Sequence, residues 1–283
     1  MTAGTEQLRT RLHEMWAAVA PAWAAHASYA DARGLEIGET MLDRTGPVSG
    51  ERVLELACGP GGLGLAAAAR VAPGGEVVFS DVAAEMTAIA ARRASAAGLT
   101  NVSACVLDLE DIARPDDSYD VVLCREGLMF ATDPARALLE IRRVLRPGGR
   151  LAVAVWGPRD RNPWLGVVFD AVSAQLERSV PPPGVPGPFS LSDAGRLEQL
   201  LHDAGMTGVA IAELAVPLEA GSFEEWWART TALAGPLAGI LATLPDPVVE
   251  GITERLRRTT SAYQTGTGFE FPGLSLVAAA RAG

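Results

Sequence analysis

The chain has 283 residues and a formal net charge of −10; 48% of its residues are hydrophobic and 20% are charged. This length is enough for one large domain with a sizeable core. A general nucleic-acid binder normally carries a basic face, so the acidic balance argues against a nucleic-acid partner. No apolar run reaches the length of a membrane span. We therefore expect no nucleic-acid partner and no membrane span.

The three cysteines, Cys58, Cys105 and Cys124, lie in or beside predicted buried strands and lack zinc-like spacing. Their odd number indicates free thiols in a reducing compartment, and no metal site is expected. The N-terminus lacks the basic segment and following apolar segment of a signal peptide. These features predict a cytoplasmic protein.

Two helical stretches open the chain. Residues 5–30 carry apolar side chains at helical spacing, and Pro21 predicts a break within them. A second helix, over 34–45, ends near Gly46. We assign residues 1–46 to a helical lid.

Strands and helices alternate between residues 47 and 157, the predicted cofactor-binding core. Strands are predicted at 51–57, 75–81, 101–111, 119–127 and 149–156, and helices at 63–71, 83–98 and 133–149. Nearly continuous apolar strands that alternate with helices predict a parallel sheet covered on both faces. Ligands of such sheets bind at the carboxyl ends of the strands, near the point where the strand order reverses.

The pattern changes over residues 158–283, which we expect to complete the sheet of a single domain. Helices are predicted at 162–180, 192–205 and most of 223–264, and strands at 209–219 and 274–282. The apolar insertion at about 221–268 predicts a helical cap over the site. Its alternative role is dimerisation, so a homodimer stays open.

Residues 57–64 read ACGPGGLG and contain G-x-G-x-x-G at Gly59, Gly61 and Gly64. Glycines let the backbone approach a ligand closely, and the following helix offers an electropositive N-terminus. Such a loop suits the pyrophosphate of NAD, and it suits an amino-acid carboxylate equally well. A ligand-free turn is the third interpretation, so the pattern alone does not decide.

Two acidic residues at strand ends add information. A carboxylate at Glu55 would repel a pyrophosphate, but it would attract the ammonium of an amino acid such as that in S-adenosylmethionine. The alternative is a charge that reaches solvent. Asp81 closes the second strand and can accept hydrogen bonds from both ribose hydroxyls, cap the next helix, or do both.

Asp108 follows the third strand. Its carboxylate can accept a hydrogen bond from an adenine amino group, while the backbone N–H of Leu109 can donate to a ring nitrogen. The alternative is an acid that begins or caps a loop. Met86 can pack on the adenine face or belong to the core. Together with Glu55, Asp108 favours S-adenosylmethionine over NAD.

Five segments in order and in register resemble class I S-adenosylmethionine-dependent methyltransferases, the branch that includes quinone-biosynthesis and small-molecule enzymes. They read VLELACGPGG, FSDVAAEM, VLDLED, YDVVLCREGLMF and LRPGGRLAVAVW. The resemblance covers residues 48–157, and residues 187–205 extend it in part. It implies a Rossmann-like α/β fold with a seven-stranded, mostly parallel sheet, helices on both faces, an antiparallel last strand and a helical cap.

The resemblance also implies roles for individual residues. The methionine part of the cofactor would be held by Glu55, Ala57, Gly59 and Gly61, the ribose by Asp81, the adenine by Val82, Met86, Asp108 and Leu109, and the methionine end would lie near Cys124 and Arg125. The family usually has glycine where Ala57 stands, so the loop could be displaced slightly. Glu126 is not diagnostic of the family.

Methyl transfer needs a nucleophile in line with the methyl group and, for a hydroxyl or carbon nucleophile, a base. The candidates are His26 and Tyr29 of the lid, although packing or surface roles are the alternative. Aromatic residues could line an apolar substrate pocket or belong to the core: Trp23, Trp156, Trp164, Trp226 and Trp227.

We therefore predict S-adenosylmethionine-dependent methyl transfer to an O, N or C nucleophile of a small, hydrophobic metabolite of the secondary-metabolite or quinone-like class. One alternative keeps the fold and the cofactor but catalyses cyclisation or rearrangement without methyl transfer. An NAD-dependent oxidoreductase is disfavoured because Glu55 and Asp108 oppose it and no Tyr-x-x-x-Lys pair is visible. A non-catalytic binding subunit is disfavoured by the intact motif set.

Overall fold

A seven-stranded β-sheet forms the centre of the computed structural model, which describes residues 3–182 and 184–283. The strands are β1 (Arg52–Leu56), β2 (Glu76–Asp81), β3 (Val102–Val106), β4 (Tyr119–Arg125), β5 (Leu145–Trp156), β6 (Met206–Ala215), β7 (Leu218–Ala220), β8 (Gln264–Thr265), β9 (Gly268–Phe271) and β10 (Leu274–Ala282). The helices are α1 (Ala3–Ala25), α2 (Ala27–Arg33), α3 (Leu35–Thr45), α4 (Gly62–Val71), α5 (Ala84–Ala96), α6 (Pro134–Val144), α7 (Pro163–Leu176), α8 (Ala194–Asp203), α9 (Phe223–Leu233), α10 (Gly235–Leu241) and α11 (Asp246–Thr260).

The central sheet has the strand order β3-β2-β1-β4-β5-β10-β6. The first five of these strands are parallel, whereas β10 runs antiparallel between β5 and β6. This confirms the predicted seven-stranded sheet with its antiparallel last strand. The strand order reverses between β1 and β4, so a ligand site is expected at the carboxyl ends of these two strands.

Alternate side chains of the central strands enter two hydrophobic clusters, one on each face of the sheet. In β1, Val53 joins a cluster with side chains of α3, α4 and α5, while Leu54 joins one with side chains of α6, α7 and α8. Successive strand residues point to opposite faces. The predicted burial of both faces is therefore confirmed, and the sheet is a rigid support for the loops at its edge.

Pro21 lies inside α1 and does not break it, contrary to the sequence prediction. Proline removes one backbone donor, but α1 also packs against α5, α9 and α10. The indole of Trp23 donates a hydrogen bond to the carbonyl of Leu233 at 3.1 Å. These tertiary contacts keep the helix intact, and the chain turns only at His26, between α1 and α2.

The helix predicted over 133–149 ends earlier, at Val144, and β5 follows directly. Pro147 disfavours helical backbone at the residue before it, which explains the shorter helix. At the other end, the Asp133 side chain caps α6 by accepting from the N–H of Arg136 at 3.0 Å.

A second sheet with the strand order β7-β9-β8 was not predicted. The sequence indicated one strand over 209–219, but the chain leaves the central sheet at Val216 and Pro217. Proline lacks the N–H that a continuing strand would need. α9 contacts β7 of the small sheet and also packs against α1.

Helices from the two predicted peripheral regions are in contact. α1 of the predicted lid packs on α9 and α10 of the insertion. The division of the chain into lid, core and cap remains a prediction. Within residues 3–182 and 184–283, no helix has the length and apolar character to cross a bilayer, and no group of three metal-ligating side chains occurs.

Candidate active site

Two adjoining cavities lie at the carboxyl ends of the central strands, with about 1000 and 970 Å³ of free volume. The first, the glycine-loop cleft, is lined by residues that include Glu55, Gly59, Asp81, Met86, Asp108 and Leu109. The second, the aromatic cavity, is lined by residues that include Tyr29, Arg33, Trp156, Trp164, Phe169 and Arg229. Five residues line both cavities and form a shared wall: Trp16, Trp23, Arg125, Glu126 and Phe130.

The glycine loop joins β1 to α4. Gly59 and Gly61 have φ of +51° and +83°, a left-handed conformation that favours glycine. At Gly64, a Cβ would lie 2.1 Å from the Phe79 ring and 2.3 Å from Glu55 Oε2, so the third glycine permits close packing of the helix on the strands. Gly59 lines the cleft, whereas Gly61 shapes the turn without lining it.

Ala57 also has a left-handed backbone, with φ of +50°. This conformation costs about 1–2 kcal/mol for a residue with a Cβ. The alanine is accommodated because Gly127 faces it: a Cβ on Gly127 would lie 2.3 Å from the Cβ of Ala57. Ala57 stands where the family usually has glycine, and Gly127, which follows β4, leaves room for the additional methyl group.

Glu55 is only 2% exposed and does not reach solvent. Its Oε2 accepts a hydrogen bond from the backbone N–H of Gly64 at 3.0 Å. Burial raises the pKa of Glu55 to about 8, against the opposing effect of Arg125. The carboxyl group is therefore neutral at pH 7 until a cation arrives, whereas the sequence interpretation assumed a fixed charge.

Asp81 organises the loop as well as lining the cleft. Its two oxygens accept hydrogen bonds from the N–H groups of Gly59 and Ala83, at 2.9 and 3.0 Å. Burial raises the pKa of Asp81, and these N–H groups oppose that shift. The residue fixes the turn and the start of α5, and its carboxylate also borders the cavity.

Asp108 is held by two side chains of α1. Arg9 Nη2 lies 2.5 Å and His13 Nε2 3.3 Å from its Oδ2, and the N–H of Glu110 donates to Oδ1 at 2.8 Å. Burial would raise the pKa of Asp108, but these hydrogen bonds and the Arg9 charge lower it to about 2. No sequence motif marks Arg9 as a site residue, although its four-residue spacing from His13 places both on one helical face.

Three other residues of the predicted cofactor site line the cleft: Val82, Met86 and Leu109. Met86 is also a core residue, because it belongs to the small hydrophobic cluster between α1 and α5. Cys124 lines neither cavity. It points into the core, where burial raises the pKa of its thiol to about 12.

Arg125 and Glu126 lie side by side in the shared wall. Arg125 Nη1 donates a hydrogen bond to the carbonyl of Gly34 at 3.2 Å. Glu126 has φ of +59°, a strained backbone of the kind that concentrates at functional sites. Burial raises the pKa of Glu126, while the charges of Arg33 and Arg125 lower it. No role was predicted for Glu126, because no sequence motif marks it.

The aromatic cavity contains arginines as well as rings. Trp156 and Trp164 meet edge to face, with ring centroids 5.2 Å apart. The guanidinium carbon of Arg33 lies 4.4 Å from each of these two ring centroids. On another part of the lining, the guanidinium carbon of Arg229 lies 3.8 Å from the centroid of the Tyr29 ring.

Besides Gly61 and Cys124, three residues predicted for catalysis or for the substrate pocket lie outside both cavities. His26 sits at the turn between α1 and α2 and borders neither cavity, so a role as base gains no support. Trp226 is fully buried and stacks on Phe271, with ring centroids 5.0 Å apart. The ring centroid of Trp227 lies 6.1 Å from that of Trp226. These tryptophans lie in the first half of α9, before Arg229, Thr230 and Leu233, which reach the cavity.

Comparison with known proteins gives a consistent result. A family model described as "Methyltransferase domain" matches residues 47–175. The ubiquinone/menaquinone biosynthesis C-methyltransferase UbiE of Ralstonia nicotianae is 34% identical over 179 residues, which cover 56% of this chain and 69% of that protein. The aklanonic acid methyltransferase DauC of a Streptomyces species is 36% identical over 116 residues, covering 41% of this chain and 53% of that protein.

The chain thus spans between about half and 69% of the length of these curated relatives. Among solved structures, the YcgJ protein of Bacillus subtilis superposes with a TM-score of 0.60 at 20% identity, covering 86% of this chain and 97% of that protein. That similarity establishes the fold alone.

The residues of the glycine-loop cleft fit a cofactor that combines an amino acid with a nucleoside. A buried acid, Glu55, ends β1 before the loop, the carboxylate of Asp81 ends β2, and Asp108 and Leu109 follow β3. Sequence motifs, strand order and relatives agree with this chemistry. The chain belongs to the class I S-adenosylmethionine-dependent methyltransferases, and S-adenosylmethionine is its cofactor.

Proposed function

We propose that the methyl acceptor is a small, hydrophobic metabolite of the secondary-metabolite or quinone-like class, bound in the aromatic cavity. The shared wall carries this proposal, because it brings the aromatic cavity directly against the glycine-loop cleft. Apolar and aromatic side chains dominate typical small-molecule sites. The relative named for ubiquinone/menaquinone biosynthesis supports a quinone-like acceptor.

The residues of the glycine-loop cleft would hold the cofactor at several points. Glu55 would face the ammonium group, Asp81 the ribose hydroxyls, and Asp108 with the N–H of Leu109 the adenine edge. All four line one cleft. Because Asp108 is already bound by Arg9 and His13 of α1, that helix would close over the nucleoside.

When bound, S-adenosylmethionine supplies an electrophilic methyl group on a sulfonium centre. The acceptor atom gains the methyl group and loses a proton, and the sulfur leaves as a neutral thioether. We assign the proton to the carboxylate of Glu126, since Glu126 lies in the shared wall between the two cavities. Burial raises the pKa of Glu126 above that of an ordinary glutamate, which makes its carboxylate a stronger base. Tyr29 lines the acceptor side and remains a candidate to hydrogen-bond the acceptor.

A cavity-filling substitution tests this arrangement. Leu233 lines the aromatic cavity but not the cleft, so Leu233→Trp should abolish turnover while S-adenosylhomocysteine binds as before. Turnover is measured as S-adenosylhomocysteine release with a panel of hydroquinones and hydroxylated polycyclic aromatics. The matched control is Leu139→Trp, at a side chain that is 52% exposed on α6.

Two outcomes would count against methyl transfer to such an acceptor. Full turnover by the Leu233 variant would place the acceptor elsewhere. Product formed without stoichiometric S-adenosylhomocysteine would favour the alternative, cyclisation or rearrangement by a chain that keeps the cofactor bound.

A further inference from the structure

Arg33 is the last residue of α2, and its guanidinium lies among the rings of the aromatic cavity. Its carbon Cζ lies 4.4 Å from the ring centroids of both Trp156 and Trp164. Two of its nitrogen atoms, Nε and Nη2, are buried and have no hydrogen-bond partner. Burial lowers the pKa of Arg33, but an arginine remains charged at neutral pH.

A buried guanidinium with unpaired nitrogen atoms destabilises the folded protein when no ligand is bound. A buried charged donor without a partner carries a desolvation penalty that a ring face offsets only in part. Unpaired buried polar groups in a native structure call for a functional explanation. The cost disappears when an anion accepts from both nitrogen atoms.

The charges around the cavity do not meet this need. Among the described lining residues, Glu126 is the acidic one, against three arginines, Arg33, Arg125 and Arg229. Glu126 favours the charged form of Arg33 at a distance, yet no ion pair within 4.0 Å joins them in the described part of the chain. A protein with a net charge of −10 therefore keeps a local excess of positive charge here.

Arg229 shows what a satisfied arginine looks like in the same lining. Its Nη1 donates to Glu225 Oε1 at 2.7 Å, and its Nη2 donates to the carbonyl of Glu219 at 2.6 Å. These partners belong to the protein, so Arg229 ties α9 to β7 and supports the Tyr29 ring. Arg33 also lies against aromatic rings of this cavity, but its Nε and Nη2 have no hydrogen-bond acceptor.

We propose that Arg33 is the binding site for a carboxylate on the methyl acceptor, so that the substrate is a planar, apolar acid. This rests on the proposed function, because it assumes that the acceptor occupies the aromatic cavity. A guanidinium offers two parallel donors that match a carboxylate, and the two tryptophans hold its plane in place. Arg33 lines only the acceptor cavity, so the carboxylate orients the acceptor and is not the methylated atom.

The test compares a charged probe with a neutral probe of the same shape. Binding of 2-naphthoate and of 2-naphthamide is measured by calorimetry on the full chain saturated with S-adenosylhomocysteine. We expect the acid to bind wild type at least about tenfold more tightly than the amide. Arg33→Met should bring the two affinities within about twofold of each other, and Arg33→Lys should keep part of the preference.

Arg159→Met is the matched control. The guanidinium carbon of Arg159 also lies near a ring, 5.7 Å from the centroid of Phe169. However, Arg159 Nη2 donates a hydrogen bond to Asp170 Oδ1 at 2.6 Å, and Arg159 does not line the cavity. Its substitution should leave the preference for the acid unchanged. If Arg33→Met does not fold, the wild-type preference and the Arg33→Lys variant still decide the question.

Equal affinity for acid and amide, or no binding of the acid while S-adenosylhomocysteine binds, overturns the carboxylate site. A preference for the acid that survives Arg33→Met also overturns it and points to Arg125 instead. If S-adenosylhomocysteine itself does not bind, the assignment of the cleft fails, which is a different result.

Discussion

Glu55 is a buried carboxyl group whose charge depends on what binds beside it. Its pKa is raised to about 8 by burial, so it is neutral at pH 7 in the ligand-free protein. The ammonium of S-adenosylhomocysteine favours the ionised form, so binding at pH 7 should release a proton. By the same linkage, affinity should rise as the pH increases from about 6 to about 8. Calorimetry in two buffers with different ionisation enthalpies measures the proton release.

Glu55→Gln is the control for this prediction. The amide oxygen can still accept from the N–H of Gly64, but the side chain no longer titrates. We expect no proton release from the variant. A release of unchanged size would assign the proton to Asp81, whose pKa is also raised by burial.

Ala57 and Gly127 form a pair that should tolerate exchange. Gly127→Ala should destabilise the fold by about 1–3 kcal/mol, because the new methyl group would lie 2.3 Å from the Ala57 Cβ. Adding Ala57→Gly should recover most of that loss and also relieve the left-handed alanine. Urea denaturation of the wild type, both single variants and the double variant measures the coupling. Additive effects would mean that the two residues do not share this space.

Residues placed directly after strands were the predictable part of the site. Asp81 ends β2 and Asp108 comes shortly after β3, and a parallel sheet brings such strand ends to one edge. Arg9 and Arg33 were not predicted as site residues, because no motif marks them and only tertiary packing brings their helices to the site. The burial of Trp226 outside both cavities was not predictable, because the face that a helix buries depends on its neighbours.

At the scale of elements, α1 is joined to the cleft through Arg9, which is bound to Asp108. Arg9→Met should weaken S-adenosylhomocysteine binding several-fold, mainly through faster dissociation, because the helix loses its ion pair across the cleft. Stopped-flow tryptophan fluorescence measures the dissociation rate. Tighter binding by the variant would instead mean that Arg9 competes with the adenine for Asp108.

Arg11→Met provides the comparison for that experiment. Arg11 is exposed on the same helix, so the substitution makes the same chemical change without touching the cleft. The dissociation rate of this variant should match that of wild type.

Helices and strands with strong periodicity were predicted correctly, and errors arose where proline acts in context. Pro21 is tolerated because α1 packs against three other helices, which the sequence does not reveal. Pro147 ended a predicted helix early, and Pro217 divided a predicted strand in two. The small second sheet was missed because its strands have only two to four residues.

At the scale of the whole molecule, the alternation of strands and helices was enough to predict the sheet and its ligand edge. The cavity for the acceptor was not predictable in the same way. Much of its lining comes from three regions that are far apart in sequence and meet only through packing: α1 with α2, α7, and α9. A homodimer and a cytoplasmic location remain predictions; light scattering measures the first.

One helix, α1, borders both the glycine-loop cleft and the aromatic cavity. Trp16 and Trp23 of α1 line the glycine-loop cleft and the aromatic cavity alike, so we expect binding of the cofactor and of the acceptor to be coupled. Turnover should follow a compulsory sequence, with the nucleoside first in and last out. S-adenosylhomocysteine should then compete with S-adenosylmethionine but inhibit noncompetitively against the acceptor. Random-order kinetics would mean that the glycine-loop cleft and the aromatic cavity have separate entrances.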